Sequence, residues 1–254
     1  MRRVSSAVIL TRILPVMAAI SILAATAFSQ NLSIPNEELP KQAGPSGKII
    51  ERRATYKYLC FLPRTYDEGR KKLPLLLFLH GAGCKGDDLK PLYSHGPIEY
   101  LSSKNDNRFI AISPLCPKNS GWIPSRLNKF LHEIVRYHPI DTSRIYLTGM
   151  SMGGHGTWAF ACEYPQYFAA IAPLCGAGDP NRAALKLANM PTWVVHGVKD
   201  TIVPVKYGER MISALQAAGA PVKASIFPEM GHGEVLSIYQ QEEFYSWLLS
   251  QKKK

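Results

Sequence analysis

Three side chains with the chemistry of a nucleophile, an acid and a base follow apolar runs in this chain. Ser151 lies within residues 149–154 (GMSMGG), Asp200 follows the apolar run 192–195, and His232 is flanked by two glycines. A serine hydroxyl is a weak nucleophile at neutral pH, so it needs a base to accept its proton and a third group to orient that base. The pattern predicts nucleophilic chemistry at Ser151, with His232 as general base and Asp200 as its partner.

The sequence around Ser151 has the form of a nucleophile elbow, G-x-S-x-G. An apolar run from Arg144 to Thr148 precedes it, and a helical pattern from His155 to Tyr164 follows it. Glycines on either side allow strand and helix to approach closely, which leaves the serine hydroxyl exposed on a sharp turn. The alternative is a glycine-rich loop with an ordinary serine, and the partner residues argue against it.

The order of the three residues along the chain is serine, acid, histidine, which is the order of α/β-hydrolases. Asp200 and His232 each follow a predicted strand, and catalytic groups collect at the carboxyl ends of strands in open α/β sheets. Asp200 has an alternative role as a helix N-cap or turn residue before Pro204. His232 has an alternative as a surface-loop residue.

A second glycine-containing turn follows a buried strand at residues 78–83 (FLHGAG). Such an H-G-x-G turn exposes backbone N–H groups, and a tetrahedral intermediate needs preorganised donors, each worth about 3 to 4 kcal/mol. We therefore expect the N–H groups of Ala82 and Met152 to form an oxyanion hole. His80 and Gly81 are candidate substrate contacts, although a buried histidine in a strand-ending turn is the alternative.

Strand and helix patterns alternate along the chain, which predicts an α/β fold with a mostly parallel central sheet and helices on both faces. Only residues 176–190 separate two of the strands, so we expect no large cap domain over the site. The predicted strands are 56–62, 75–79, 109–112, 145–148, 169–174, 192–196 and 224–227, and the predicted helices are 126–137, 154–164, 205–218 and 235–249.

The chain has 254 residues, of which 46% are hydrophobic, and this suits one α/β domain. Residues 1–29 combine basic residues, an apolar run and small residues, as a signal peptide does, so we expect a secreted or periplasmic protein. An uncleaved membrane anchor is the alternative. We expect a flexible segment at 30–48, a catalytic domain at 49–250 and a frayed basic tail at 251–254.

The formal net charge of +11 is concentrated partly in the leader and the tail. The remaining sequence has no compact basic helix and no alternation of basic and aromatic residues, so nucleic acid is not an expected partner. The charge supports solubility or attraction to acidic polymers. We expect no stable membrane association after leader cleavage, and nothing in the sequence indicates an oligomeric state.

Five cysteines follow the leader, and an odd number cannot pair completely. Small buried apolar residues are one interpretation, and a single disulfide formed during export is the other. Cys84 with Cys116 is the candidate pair, because both would follow adjacent strands at the same sheet edge.

A metalloprotease motif is excluded by the residues that follow His132-Glu133 on a predicted helix. Position 136 is arginine, and His138 falls on a different face of the helix from His132. Trp122 is a candidate lining residue for an acyl or sugar pocket and is equally suited to anchor a loop.

Residues 49–249 resemble the α/β-hydrolase superfamily, in its secreted bacterial carboxylesterase and dienelactone-hydrolase-like branch. The resemblance is carried by residues 144–158 (RIYLTGMSMGGHGTW), by 113–117 (SPLCP) with Trp122, and by Ile140-Asp141. It implies a Ser-Asp-His triad that acts on esters through an acyl-enzyme, with no metal or organic cofactor. Two features depart from the pattern. Dienelactone hydrolases proper carry a cysteine nucleophile, whereas this elbow has a serine. The group usually has a charged residue soon after H-G-x-G, and here Cys84-Lys85 occupies that place.

The leading hypothesis is a secreted serine hydrolase that cleaves carboxylic esters, on small molecules or on polysaccharides, with acetyl and feruloyl groups as candidates. One alternative is a serine peptidase of the prolyl-oligopeptidase type, which normally carries a gating domain that this length does not hold. The other is a non-catalytic binding member of the fold, which an intact triad argues against.

Overall fold

One sheet of eight strands organises residues 48–66 and 71–253, the part of the chain that the computed structural model describes. Its strand order is β1-β2-β4-β3-β5-β6-β7-β8, in which β1–β2 and β2–β4 pair antiparallel and all other neighbours pair parallel. The predicted mostly parallel sheet is confirmed. The strands are β1 (Lys48–Arg53), β2 (Lys57–Leu62), β3 (Leu73–Leu79), β4 (Ile110–Pro114), β5 (Ile140–Met150), β6 (Ala170–Leu174), β7 (Thr192–Gly197) and β8 (Val222–Phe227).

Helices cover both faces of the sheet. They are α1 (Pro97–Ser103), α2 (Pro124–Tyr137), α3 (Met152–Glu163), α4 (Pro180–Lys186), α5 (Lys206–Ala217) and α6 (Glu242–Leu249). Helices α2 to α5 contact one another in sequence on one face, whereas α1, α6 and a 3-10 segment at Glu234–Gln240 pack on the other. No large cap lies over the sheet edge in the described residues, as expected.

The central strands are buried because both faces of the sheet are covered. Every residue of β3 is buried, which explains its uninterrupted apolar run. Phe78 of β3 packs edge-to-face on Tyr239 with ring centroids 5.4 Å apart. Burial of each such side chain contributes about 1.5 to 3 kcal/mol, so these strands form a rigid base for the loops at their carboxyl ends.

Some elements differ from the sequence-based expectation. Strand β1 was not predicted, because it is an edge strand with only two apolar residues, Ile49 and Ile50. Helices α1 and α4 were not among the predicted helices, since seven residues give too little periodicity to detect. The helix expected at 235–249 is interrupted at Gln241, whose backbone is extended (φ −105°, ψ 126°).

The predicted leader and the predicted basic tail lie at the two ends of the chain. The predicted leader at 1–29 and the segment 30–47 lie outside the described residues, and residue 48 begins β1. The described part of the predicted basic tail, residues 251–253, makes hydrogen bonds with the domain. The carbonyl of Gln251 accepts a 2.9 Å hydrogen bond from the Tyr146 hydroxyl, and the N–H of Lys253 donates to the carbonyl of Ser143 at 2.9 Å.

All five cysteines are free and buried, so the predicted Cys84–Cys116 disulfide is wrong. The loops after β3 and β4 are joined by the backbone instead, because the N–H of Gly86 donates to the carbonyl of Cys116 at 3.0 Å. The cysteines act as small apolar residues, and burial raises the pKa of the Cys84 and Cys116 thiols.

Among the helices of the described residues, none combines the length and the hydropathy that a membrane span requires.

Candidate active site

Ser151 lies between β5 and α3 in a strained backbone conformation, with φ 58° and ψ −117°. A residue with a Cβ rarely adopts such a φ, which costs on the order of 1–3 kcal/mol unless the surroundings impose it. Two hydrogen bonds do so here. The Ser151 N–H donates to the carbonyl of Leu174 at 2.9 Å, and its own carbonyl accepts from the His155 N–H at 2.9 Å.

The glycines around the serine allow a very close approach of strand and helix. A Cβ at Gly153 would lie 1.7 Å from the carbonyl oxygen of Leu79, and a Cβ at Gly149 would lie 2.4 Å from the carbonyl oxygen of Gly153. The end of β3, the end of β5 and the first turn of α3 therefore meet without side chains between them. This contact places the H-G-x-G turn beside the serine.

His232 bridges the serine and the acid. Its Nε2 lies 2.8 Å from the Ser151 hydroxyl oxygen, and its Nδ1 lies 2.7 Å from Oδ2 of Asp200. Because a carboxylate only accepts, Nδ1 carries the proton and Nε2 is the unprotonated nitrogen that accepts from the serine hydroxyl. The structure thus brings together the three residues that the sequence singled out on separate loops.

Asp200 is buried, with 5% of its surface exposed, and both of its oxygens are occupied. Oδ1 accepts from the N–H groups of Ile202 at 2.9 Å and Val203 at 2.8 Å, while Oδ2 accepts from His232. Burial alone raises the pKa of Asp200, but the hydrogen bonds from His232, Val203 and Ile202 together outweigh it and leave the pKa below its ordinary value. Asp200 is therefore a carboxylate. It accepts the N–H groups of the turn before Pro204 with one oxygen and contacts His232 with the other.

Two buried groups behind Asp200 were missed in the sequence. Nε2 of His196 lies 2.7 Å from the carbonyl oxygen of Val203 and 3.4 Å from Oδ2 of Asp200, and the ring is fully buried. The Sγ of Cys175 lies 3.8 Å from the carbonyl oxygen of His232 and within 4.8 Å of a carboxylate oxygen of Asp200. A histidine at the end of an apolar strand, four residues before the acid, was the available signal.

Cys175, His196 and Asp200 offer donor atoms within 4.8 Å of one another, a spacing that a metal ion could use. The chemistry of the set does not fit a metal. Both oxygens of Asp200 already accept hydrogen bonds, and burial raises the pKa of the Cys175 thiol, which keeps it protonated. The cluster instead holds the carboxylate that faces His232.

The H-G-x-G turn continues as a 3-10 turn at Ala82–Cys84. A Cβ at Gly81 would lie 3.6 Å from the Ser151 Cβ, so the turn flanks the serine directly. Ala82 begins the 3-10 turn and Met152 begins α3, so neither N–H has an acceptor within its own helix. Within the described residues, no hydrogen bond uses either N–H group.

His80 and Trp122 support this turn from inside the protein. Nε2 of the fully buried His80 accepts from the Cys116 N–H at 3.0 Å, and its Nδ1 lies 2.6 Å from the carbonyl oxygen of Gly81. Burial lowers the pKa of His80 to about 4, so the ring is neutral. The Trp122 Nε1–H donates to the carbonyl of His80 at 3.0 Å. Both nitrogens of His80 thus face protein atoms and Trp122 anchors the turn, while the substrate contacts expected at His80, Gly81 and Trp122 stay predictions.

A protein-family model and several known proteins match this chain. Residues 47–237 match the model of the dienelactone hydrolase family. A carboxymethylenebutenolidase-like protein of Yersinia pestis is 35% identical over 104 residues, which are 37% of this chain and 39% of that protein. A protein named "Probable feruloyl esterase C" from Aspergillus terreus is 26% identical over 168 residues, 61% of this chain and 58% of that protein.

The crystal structure of a thermostable esterase superposes with a TM-score of 0.70 at 27% identity, and covers 81% of this chain and 63% of that one. The matched segments thus span less than two thirds of the length of these relatives. The family match nevertheless covers most of this chain and includes Ser151, Asp200 and His232. The chain therefore belongs to the dienelactone hydrolase family.

Proposed function

We propose that this protein is a serine hydrolase that cleaves carboxylic esters through an acyl-enzyme on Ser151. One observation carries the proposal: an unbroken chain of hydrogen bonds runs from the Ser151 hydroxyl through His232 to Asp200. Relatives that include esterases support the same reaction class. A non-catalytic binding protein has no need for this chain of contacts.

The geometry supports acyl transfer in two steps. The Ser151 oxygen attacks the ester carbonyl carbon while Nε2 of His232 accepts the hydroxyl proton, and the N–H groups of Ala82 and Met152 stabilise the negative oxygen that forms. His232 then returns the proton to the alcohol as the ester C–O bond breaks. A water molecule next attacks the acyl-enzyme with His232 as base, which releases the carboxylic acid and restores Ser151.

Asp200 supports both steps from behind His232. Its carboxylate holds the proton on Nδ1, which keeps Nε2 available as an acceptor, and it stabilises the imidazolium that forms after proton transfer. Because the carboxylate is buried and held by two backbone N–H groups, it needs no reorganisation during the reaction.

The substrate is proposed to be an acetyl or feruloyl ester carried on a polysaccharide. The leader-like sequence at 1–29 supports export to where such polymers occur. The feruloyl esterase relative supports the acyl group. A site without a large cap in the described residues leaves room for a polymer. The lactone substrate of dienelactone hydrolases proper is not carried over, because this elbow has a serine in place of their cysteine.

The test is hydrolysis of short and long nitrophenyl esters, methyl ferulate, acetylated xylan and a proline amide by the wild type and by Ser151→Ala and His232→Ala. We expect each substitution to lower kcat on the esters by at least about 10³-fold, because the residues act as one unit. Ser94→Ala, at an exposed serine, is the matched control. Normal ester turnover by either triad variant would contradict the mechanism, and preference for the proline amide would indicate a peptidase.

A further inference from the structure

A cleft of about 220 Å³ lies on the far side of the H-G-x-G turn from Ser151. Three separate segments line it: residues 53–57, which link β1 and β2, Gly86 and Asp87 after the 3-10 turn, and Leu115 to Arg126 around the start of α2. None of the triad residues lines it, so the cleft is a second concave surface next to the proposed active site.

The cleft opens at the same edge of the sheet as Ser151. Its walls follow the carboxyl ends of β3 and β4, and β3 is the direct neighbour of β5, which ends at the serine. The lining residues lie at β4, β2 and β1, which are two to four strands from β5, and neighbouring strands are about 4.8 Å apart. The cleft therefore lies about 10 to 20 Å along the edge from the elbow. Gly86 follows Ala82 by four residues, so a ligand in the cleft contacts the same loop that carries the proposed oxyanion donor.

Positive charge surrounds the cleft. Arg53, Lys57 and Arg126 line it and are exposed, whereas Asp87 is the single acidic lining residue. No ion pair within the described ranges engages any of the three cations. The Lys57 ammonium donates one hydrogen bond, at 3.2 Å, to the backbone carbonyl of Asp87, which leaves its other N–H groups for a ligand.

The floor of the cleft is held in place before any ligand binds. The N–H and hydroxyl of Thr55 donate to the carboxylate of Glu133 on α2 at 2.7 and 2.9 Å. The Arg126 guanidinium stacks over the Tyr56 ring, 5.2 Å from its centroid, so its N–H edges stay available while its face is packed. A preorganised cationic group loses little entropy when it binds an anion.

Tyr56 lies at the wall of the cleft and carries a buried hydroxyl group. Only 3% of the residue is exposed, and within the described residues its hydroxyl has no hydrogen-bond partner. Burial raises the pKa of Tyr56 to about 12, so the phenol stays neutral and can donate. Unpaired buried hydroxyls are uncommon and costly, so this group is an observation independent of the surface charge.

We propose that this cleft binds the carboxylate of an acidic sugar residue, a uronate, in a polymeric ester substrate, and so presents an ester on a nearby sugar to Ser151. The inference rests on the proposed esterase function. The cations recognise the carboxylate, and the buried Tyr56 ring holds the Arg126 guanidinium beside the cleft. The volume of about 220 Å³ is below that of pockets for drug-sized ligands, which suits a single sugar ring.

The first test compares Arg126→Gln with Lys129→Gln, an exposed lysine one turn further along α2 that does not line the cleft. Both remove one positive charge. Acetylated polygalacturonate is the acidic substrate and acetylated xylan without uronate is the neutral one. We expect Arg126→Gln to lower the ratio of kcat/KM for acidic over neutral polymer about tenfold, mainly through KM, and Lys129→Gln to leave the ratio within twofold. Equal ratios for the two variants would overturn the proposal.

A binding experiment separates this proposal from the esterase function. Calorimetry on the Ser151→Ala protein should detect tri-galacturonate, weakened about tenfold by Arg126→Gln and weakened by added salt. Inorganic phosphate, tested alone, should bind less well, and tighter binding of phosphate would contradict a uronate site. If Ser151→Ala retained full turnover, the esterase proposal would fail while the binding result stood. Active wild type without any galacturonate binding would eliminate only the cleft proposal.

Discussion

At the scale of single residues, the two oxygens of Asp200 make different contacts. Oδ1 accepts two backbone N–H groups of its own turn, which places the carboxylate, and Oδ2 faces Nδ1 of His232 at 2.7 Å. The lowered pKa of Asp200 results from these contacts against the opposing effect of burial. The same hydrogen bonds therefore fix the position of the Asp200 carboxylate and favour its charged form.

We expect Asp200→Asn to lower kcat by about 10⁴-fold, because an amide no longer holds His232 in the tautomer that accepts from Ser151. The amide oxygen can still accept the N–H groups of Ile202 and Val203. Steady-state kinetics on nitrophenyl acetate would measure the loss, and circular dichroism would check that the fold persists. A kcat within tenfold of the wild type, with the fold intact, would rule out this role for Asp200.

At the scale of elements, the elbow depends on how closely β3, β5 and α3 approach. Ser151 adopts a positive φ because backbone hydrogen bonds on both sides impose it. The approach is possible because Gly149 and Gly153 have no Cβ. The local sequence carries this information, since the glycine spacing is sufficient to predict a sharp turn. The contact of Gly153 with the carbonyl of Leu79, far away in sequence, was not predictable from spacing.

We expect Gly153→Ala to destabilise the protein by at least about 2 kcal/mol, because its Cβ would lie 1.7 Å from a backbone oxygen that cannot move alone. The control is Gly121→Ala, where a Cβ would meet nothing within 4 Å and the change should stay within about 0.5 kcal/mol. Urea unfolding of both variants measures the difference. Equal unfolding free energies would show that the close approach is not required.

Some of the other strands and helices were predictable from local sequence patterns, and others form only through tertiary packing. Buried central strands were predictable, because a continuous apolar run such as that of β3 is typical of a strand covered on both faces. The edge strand β1 and the short helices α1 and α4 were not, because an edge strand needs little apolar content and a seven-residue helix completes only two turns. Their formation depends on tertiary packing.

At the scale of the whole molecule, burial of neutral histidines makes stability depend on pH. Burial lowers the pKa of both His80 and His138 to about 4. In the unfolded chain a histidine takes up a proton near about pH 6.5. Below that pH the unfolded state binds protons that the folded state does not, so folding stability falls as pH decreases towards 4.

We expect the unfolding free energy to fall between about pH 6.5 and 4, with each of the two histidines contributing up to about 3 kcal/mol. The measurement is urea unfolding at a series of pH values. His138→Gln should reduce the slope of the unfolding free energy against pH in this window, whereas His95→Gln, at an exposed histidine, should leave it unchanged. The same slope in the His138 variant would argue against this origin of acid sensitivity.

The sequence by itself determined the α/β architecture and the three residues with triad chemistry, because apolar runs locate strands and the elbow spacing is local. That Ser151, Asp200 and His232 follow separate strands was enough to expect them at one sheet edge, since parallel strands end together. Tertiary structure alone decided the tautomer of His232, the supporting roles of His80 and His196, the free cysteines and the cationic cleft. Each of these depends on contacts between segments far apart in the chain, which no local pattern records and which only the packing of strands and loops creates.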